Sequence, residues 1–116
     1  MTDYSDILTL KKGYVQKLQE LEIETNKLPE LYKKVAEHEC VYRETKAKVY
    51  LKLLADDTKV TVIATLANGK TAEFRLMYKV ADGVLRSARE NIKRIHSNIE
   101  GYRTLISIAK AEISIR

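Results

Sequence analysis

Residues 71–116 read TAEFRLMYKVADGVLRSARENIKRIHSNIEGYRTLISIAKAEISIR, and their apolar side chains recur every seven positions. One series includes Leu85, and a second includes Ala81, four residues earlier. A repeat held for more than four heptads is typical of a helix that packs lengthwise on other helices. The predicted helix-packing seam consists of Phe74, Tyr78, Ala81, Leu85, Ala88, Ile92, Ile95, Ile99, Tyr102, Ile106, Ala109 and Ile113.

A helix of about 45 residues would be nearly 70 Å long at 1.5 Å per residue, and it cannot bury its own seam. We therefore expect the seam to lie against helices formed by residues 7–55, against a second copy of the chain, or against both. Gly83 and Gly101 lie inside this helix and cost roughly 1 kcal/mol each relative to alanine. They indicate either an exposed face or a close backbone contact.

The N-terminal half carries a weaker helical pattern. Ser5 and Asp6 can cap a helix in which apolar residues from Ile7 to Leu21 recur at three- and four-residue steps. Proline removes a backbone donor and clashes with the preceding turn, so Pro29 predicts a break or a kink at residues 26–29. The expected helices cover residues 6–26 and 29–55.

Residues 59–76 are open to two interpretations. Asp56 to Thr58 form a predicted loop that offers a good cap for the next element. The pair Asn68-Gly69 is a strong hairpin signal and would turn a β-hairpin from Val60 to Leu76. The same pair can also end a short helix. We favour a short linking helix at 59–67, followed by a helix at 71–115 that Thr71 caps.

Composition agrees with a helical protein. The chain has 116 residues, of which 32% are charged, against roughly 25% in an average protein, with only four glycines and one proline. Few turn residues and many charges indicate long helices with solvated faces. We expect an all-α single domain: an elongated antiparallel helical hairpin or bundle with coiled-coil-like packing, completed by self-association into a homo-oligomer.

The sequence contains no recognisable catalytic or metal-binding motif. We therefore predict that the protein is not an enzyme and that it binds no metal and no cofactor. His38, Glu39 and Cys40 are adjacent and would point in different directions on a helix, whereas metal ligands on one helix need three- or four-residue spacing. Cys40 is expected to be a small buried hydrophobe. No apolar run approaches the roughly 20 residues of a membrane span, and no signal peptide is recognisable, so a cytoplasmic location is expected.

The formal net charge of +5 is concentrated in the C-terminal segment, since residues 70–116 hold 10 basic and 5 acidic side chains. Basic side chains follow three-, four- or seven-residue steps beside the seam. This basic stripe consists of Arg75, Lys79, Arg86, Arg89, Lys93, His96, Arg103 and Lys110. It is interpreted as a solvated face, as a docking surface for an acidic protein, or as a nucleic-acid-binding surface.

Several short segments carry a resemblance to a known group: YRETKA at 42–47, ATLANG at 64–69, AEFR at 72–75, ADG at 81–83, and the pairs Ile92-Lys93 and Tyr102-Arg103. From Tyr42 onward the chain resembles small helical proteins of bacteriophages and prophages of Gram-positive bacteria. The resemblance implies a long helix, a short linking helix and a second long helix. It also implies a bacterial host cell and genes near those for phage recombination and replication, and it carries over no functional residue.

Three functional hypotheses follow. The first is a non-catalytic phage accessory protein that acts by protein–protein interaction with DNA-processing machinery or a host protein. The second is direct nucleic-acid binding through the basic stripe. The third is a phage-encoded inhibitor of a host nuclease or defence complex.

Overall fold

The structure is a computed structural model, and it describes residues 3–115. Three helices occupy nearly all of this range: α1 (Tyr4–Ala55), α2 (Val60–Lys70) and α3 (Ala72–Ile115). There is no strand between residues 3 and 115, so the all-α prediction is confirmed and the β-hairpin alternative for residues 60–76 is excluded. Met1, Thr2 and Arg116 lie outside the described residues.

Of the break or kink predicted at residues 26–29, the break was wrong, because α1 continues through Pro29. Proline cannot donate the backbone hydrogen bond that the Thr25 carbonyl would otherwise accept. Both residues are exposed, so solvent can reach that carbonyl and the loss costs less than it would in a core. A seven-residue series also keeps its spacing across the proline. It comprises Ile7, Tyr14, Leu21, Leu28, Val35, Tyr42 and Val49, all buried or half-buried.

The connection from α1 to α2 is short. Asp57 adopts a positive φ of 58°, a conformation that aspartate tolerates better than most residues. The residue that caps α2 is Lys59, and its side chain makes no capping hydrogen bond. The expectation that the loop of residues 56–58 would supply the cap was therefore wrong.

Helix α2 runs past Asn68 and Gly69, which were expected to end it, and the next residue after Lys70 is the corner Thr71. Gly69 does not adopt a positive φ. Thr71 is buried, and both its amide and its hydroxyl donate to the Ala67 carbonyl, at 3.1 and 2.7 Å. Its own carbonyl accepts the amide of Arg75 in the first turn of α3. One residue thus ends α2 and starts α3, with its polar groups satisfied.

The chain divides into two compact units. Unit 1 consists of the described parts of Met1–Leu28 and Ser87–Arg116, where the first half of α1 packs antiparallel to the second half of α3. The Arg103 Nε donates to the Tyr14 hydroxyl at 3.3 Å across this pair. The buried side chains of unit 1 are Ile7, Ile95, Ile99 and Ala109.

Unit 2 is Pro29–Arg86 and contains the second half of α1, all of α2 and the first part of α3. Leu53 of α1 packs with Ile63 and Ala67 of α2 in a buried cluster. The rings of Tyr42 and Tyr78 stack between α1 and α3, with centroids 6.2 Å apart. Unit 2 thus contains a buried cluster between α1 and α2 and a tyrosine contact between α1 and α3.

Candidate functional site: two grooves and a basic stripe

All twelve residues of the predicted seam are buried or half-buried. Within α3, the other residues that are not exposed are Asp82 and Asn91. Gly83 and Gly101 were predicted to lie either on an exposed face or at a close backbone contact. They lie in open space, because a methyl group at either position would meet nothing within 4 Å. The seam is thus the face that α3 buries, and the side chains beside it form the candidate binding surfaces.

The close contact is at Gly13 instead, in α1. A methyl group built there would lie 2.6 Å from the Tyr102 hydroxyl and 2.7 Å from two ring carbons. A real Cβ does not tolerate such distances, so glycine lets the tyrosine ring pack against the α1 backbone. The sequence contains a signal for this contact that was not used: Gly13 directly precedes the seam-like residue Tyr14.

Unit 2 contains an apolar groove of about 410 Å³ between α1 and α3. Its lining residues are Leu31, Lys34, His38, Leu76, Met77, Val80, Ala81 and Val84. Four apolar side chains on its α3 side retain large exposed fractions: 62% for Leu76, 46% for Met77, 56% for Val80 and 50% for Val84. The groove therefore presents a row of apolar groups that the unit does not cover.

Unit 1 contains a second groove of about 410 Å³, which we call the basic groove. It is lined by Lys11, Tyr14, Val15, Arg103, Ile106, Ser107 and Lys110. The Arg103 guanidinium lies 5.9 Å from the centre of the Tyr14 ring and also pairs with Glu100 at 2.7 Å. The hydrogen bond with the Tyr14 hydroxyl, followed by the charge interactions, raises the pKa of Arg103 above its ordinary value.

All eight side chains of the predicted basic stripe are exposed. Arg75, Lys79 and Arg86 belong to unit 2, and the other five belong to unit 1. Three members pair with a carboxylate one turn away: Arg86 with Asp82, Lys93 with Glu90, and Arg103 with Glu100. The Lys79 ammonium instead lies 5.5 Å from the centre of the Tyr78 ring. These local pairs offset part of the positive charge that the stripe offers to a ligand.

The His38-Glu39-Cys40 segment is divided among different surroundings. His38 lines the apolar groove, and Glu39 pairs with Arg43 at 2.9 Å. Cys40 is exposed, so the expectation that it is buried was wrong. Its Sγ lies 3.5 Å from a Glu44 carboxylate oxygen, and this hydrogen bond, together with the carboxylate charge, raises the pKa of the thiol. A raised pKa disfavours the thiolate, which is the reactive form.

Within residues 3–115, no group of three or more His, Cys, Asp or Glu side chains is arranged to hold a metal ion. Over the same range, none of the helices combines the length and the apolar content that crossing a membrane requires. The two grooves and the basic stripe are the candidate binding surfaces. No protein-family model, no curated protein and no solved structure matches this chain.

Proposed function

We propose that this protein is a non-catalytic interaction protein that binds a partner protein through the apolar groove of unit 2. The observation that carries the proposal is the row of exposed apolar side chains at Leu76, Met77, Val80 and Val84. A groove between two antiparallel helices fits an additional helix, whose apolar face would lie along this row. The partner segment is accordingly an amphipathic helix with an apolar stripe.

Covering this row would supply part of the free energy of an interaction. Complete burial of a side chain such as leucine, valine or methionine contributes about 1.5–3 kcal/mol. Because these four are about half exposed, covering them would contribute roughly 3–6 kcal/mol before the costs of association are subtracted. A partner would need further contacts beyond the row to bind tightly.

The resemblance to phage proteins suggests the setting of this interaction. We propose that the protein is a phage or prophage accessory factor and that its partner belongs to DNA-processing machinery or to the host. An inhibitor of a host nuclease or defence complex would use the same kind of contact, since a helix-binding groove can block a partner as well as recruit it.

The test is affinity capture of partner proteins from lysates of infected or lysogenic bacterial cells, with the wild type and two variants of the full chain as bait. Val80→Glu places a charge in the groove, where burial against an apolar partner would be costly. Val60→Glu is the matched control, because Val60 is 79% exposed at the start of α2 and lines neither groove. We expect a protein that the wild type and Val60→Glu retain, even after nuclease treatment, and that Val80→Glu loses. Equal retention by the two variants would contradict the proposal.

Direct nucleic-acid binding is a second proposal, supported by the exposure of all eight stripe residues. Binding to a DNA duplex should then weaken steeply with salt, because each neutralised phosphate releases counterions. Replacing Arg86, Arg89 and Lys93 together by alanine should lower the affinity and flatten the salt dependence. Absence of DNA binding at low salt would refute this alternative.

A further inference from the structure

The basic groove of unit 1 combines charges from both helices with an apolar floor. Lys11 comes from α1, and Arg103 and Lys110 come from α3. Tyr14, Val15 and Ile106 supply the apolar surface between them. The basic stripe lies on α3 alone and therefore forms only part of this site. Lys11 belongs to α1 and comes near Arg103 and Lys110 only when the two helices pair.

The cations that line this groove form no ion pair between the two helices within residues 3–115. Residues that flank a seam on paired helices often carry opposite charges and form ion pairs between the helices. Here both helices supply cations to the same groove. Among the lining residues that the structure describes there is no carboxylate. Glu100 pairs with Arg103, whereas Lys11 and Lys110 have no ion-pair partner within residues 3–115. An anionic ligand could pair with these two lysines.

We infer that the basic groove binds an acidic amphipathic helix of a partner protein. The apolar stripe of such a helix would cover Val15 and Ile106, and Asp or Glu residues beside the stripe would pair with Lys11 and Lys110. This site lies within unit 1, so it is independent of the apolar groove and of its proposed partner.

The floor of the groove favours a peptide over a nucleic acid. A phosphate backbone needs cations but gains little from an aliphatic surface such as Val15 and Ile106. Binding of single strands relies on bases that stack on aromatic rings. The ring that this groove offers is Tyr14, and the Arg103 guanidinium already lies near it, with its central carbon 5.9 Å from the ring centre.

The test uses designed peptides of about 20 residues, long enough to form a helix on binding. The acidic peptide carries leucines at heptad spacing with flanking glutamates, and its control carries lysines in place of the glutamates. A labelled DNA duplex is measured in parallel. The protein variants are Lys11→Glu/Lys110→Glu and, with the same change in net charge, Lys12→Glu/Arg94→Glu, whose sites belong to unit 1 but do not line the groove.

Fluorescence anisotropy at low salt should show that the wild type binds the acidic peptide more tightly than the basic one. The groove variant should weaken binding of the acidic peptide by about tenfold or more, whereas the control variant should change it by about twofold or less. Circular dichroism should show unchanged helix content in both variants. Where the groove variant does not fold, Lys11→Gln/Lys110→Gln replaces it and should weaken binding in the same direction.

Three results would overturn the inference. The first is an acidic peptide that binds no more tightly than the basic one. The second is an equal loss of binding in the groove variant and in the control. The third is a DNA duplex that binds through Lys11 and Lys110 while the acidic peptide does not, which would assign the groove to nucleic acid.

Discussion

Both units pair α1 with α3, yet their grooves differ in the side chains that they offer to a ligand. The groove of unit 2 exposes apolar side chains such as Leu76 and Val80, and the groove of unit 1 exposes the cations Lys11 and Lys110. In both units the buried α3 positions continue one seven-residue pattern. The difference therefore lies in the residues beside the seam. The seam determines the fold, and its flanks determine what each unit can bind.

The units also differ in how the core is closed. Unit 2 adds α2, which contributes Ile63 at 3% exposure, whereas unit 1 brings Ile95 to 1% exposure with two helices alone. Burial at these two sites is equally complete, although the number of helices differs. Equal burial predicts that truncating either isoleucine lowers the free energy of unfolding by a similar amount. This loss is the largest effect that we expect.

Ile63→Ala and Ile95→Ala should each lower the free energy of unfolding by about 2–5 kcal/mol, because each removes buried methyl groups and leaves a cavity. The control is Val62→Ala, whose side chain is exposed and which should change stability by about 0.5 kcal/mol or less. Denaturant unfolding followed by circular dichroism measures all three. An isoleucine variant as stable as Val62→Ala would show that its unit lacks the core described.

Gly13→Ala should destabilise the protein by about 1 kcal/mol, since the clash with Tyr102 outweighs the better helix propensity of alanine. Gly101→Ala, which meets open space, should instead stabilise by about 1 kcal/mol. In a Tyr102→Ala background, Gly13→Ala should become stabilising as well. If the two glycine substitutions behave alike in the wild type, the close contact in unit 1 does not form.

Thr71→Val should lower stability by about 1 kcal/mol, because it removes a buried hydroxyl that donates to the Ala67 carbonyl at 2.7 Å. Thr104 makes the same kind of bond, to the Glu100 carbonyl, but on an exposed surface. Thr104→Val should therefore change stability by about 0.5 kcal/mol or less. Thermal unfolding of the two variants compares the buried hydrogen bond of unit 2 with the exposed one of unit 1. An equal loss of stability in both variants would argue against a buried Thr71.

Lys11→Glu should raise the stability of unit 1 slightly, by about 0.5 kcal/mol or less, since the new carboxylate would line the same groove as Arg103 and Lys110 and lower its net positive charge. The gain should disappear in 1 M salt, where surface charges are screened. Lys12→Glu, outside that groove, should show no comparable gain. A loss of stability in Lys11→Glu would mean that the lysine already has a stabilising partner.

The smallest expected effect is the titration of Cys40 in unit 2. Because the Glu44 carboxylate raises the thiol pKa, the thiolate should form at a higher pH than in an unfolded peptide, and alkylation should be slower at any pH below that range. Glu44→Ala should lower the pKa and shift the pH profile of alkylation to lower pH. A profile that Glu44→Ala leaves unchanged would contradict the hydrogen bond.

The buried face of α3 could be predicted from the sequence, because all twelve seam positions from Phe74 to Ile113 hold apolar or aromatic residues at heptad spacing. The error at Pro29 arose because a local rule was given more weight than a repeat. The series from Ile7 to Val49 keeps its spacing through the proline, but polar residues such as Lys17 and Glu24 occupy half-buried positions beside it and obscure the pattern.

The binding surfaces were predictable only in part. The basic stripe could be read from α3 alone, but the basic groove also needs Lys11, and its membership depends on how α1 and α3 are aligned. That alignment comes from contacts such as the ring of Tyr102 against Gly13, which no spacing within one helix reveals. The exposure of Cys40 was missed for the same reason, since burial depends on where the neighbouring helix lies.

The central claim is that α1 is unbroken and that, within each unit, it pairs with α3 in the register described, because the composition of each groove depends on that pairing. Nuclear magnetic resonance of the full chain tests it most directly. We predict helical Cα shifts without interruption from Tyr4 to Ala55, with proton contacts from the Tyr42 ring to the Tyr78 ring and from the Gly13 Hα to the Tyr102 ring. Coil-like shifts at residues 26–29, or the absence of either contact, would contradict the account.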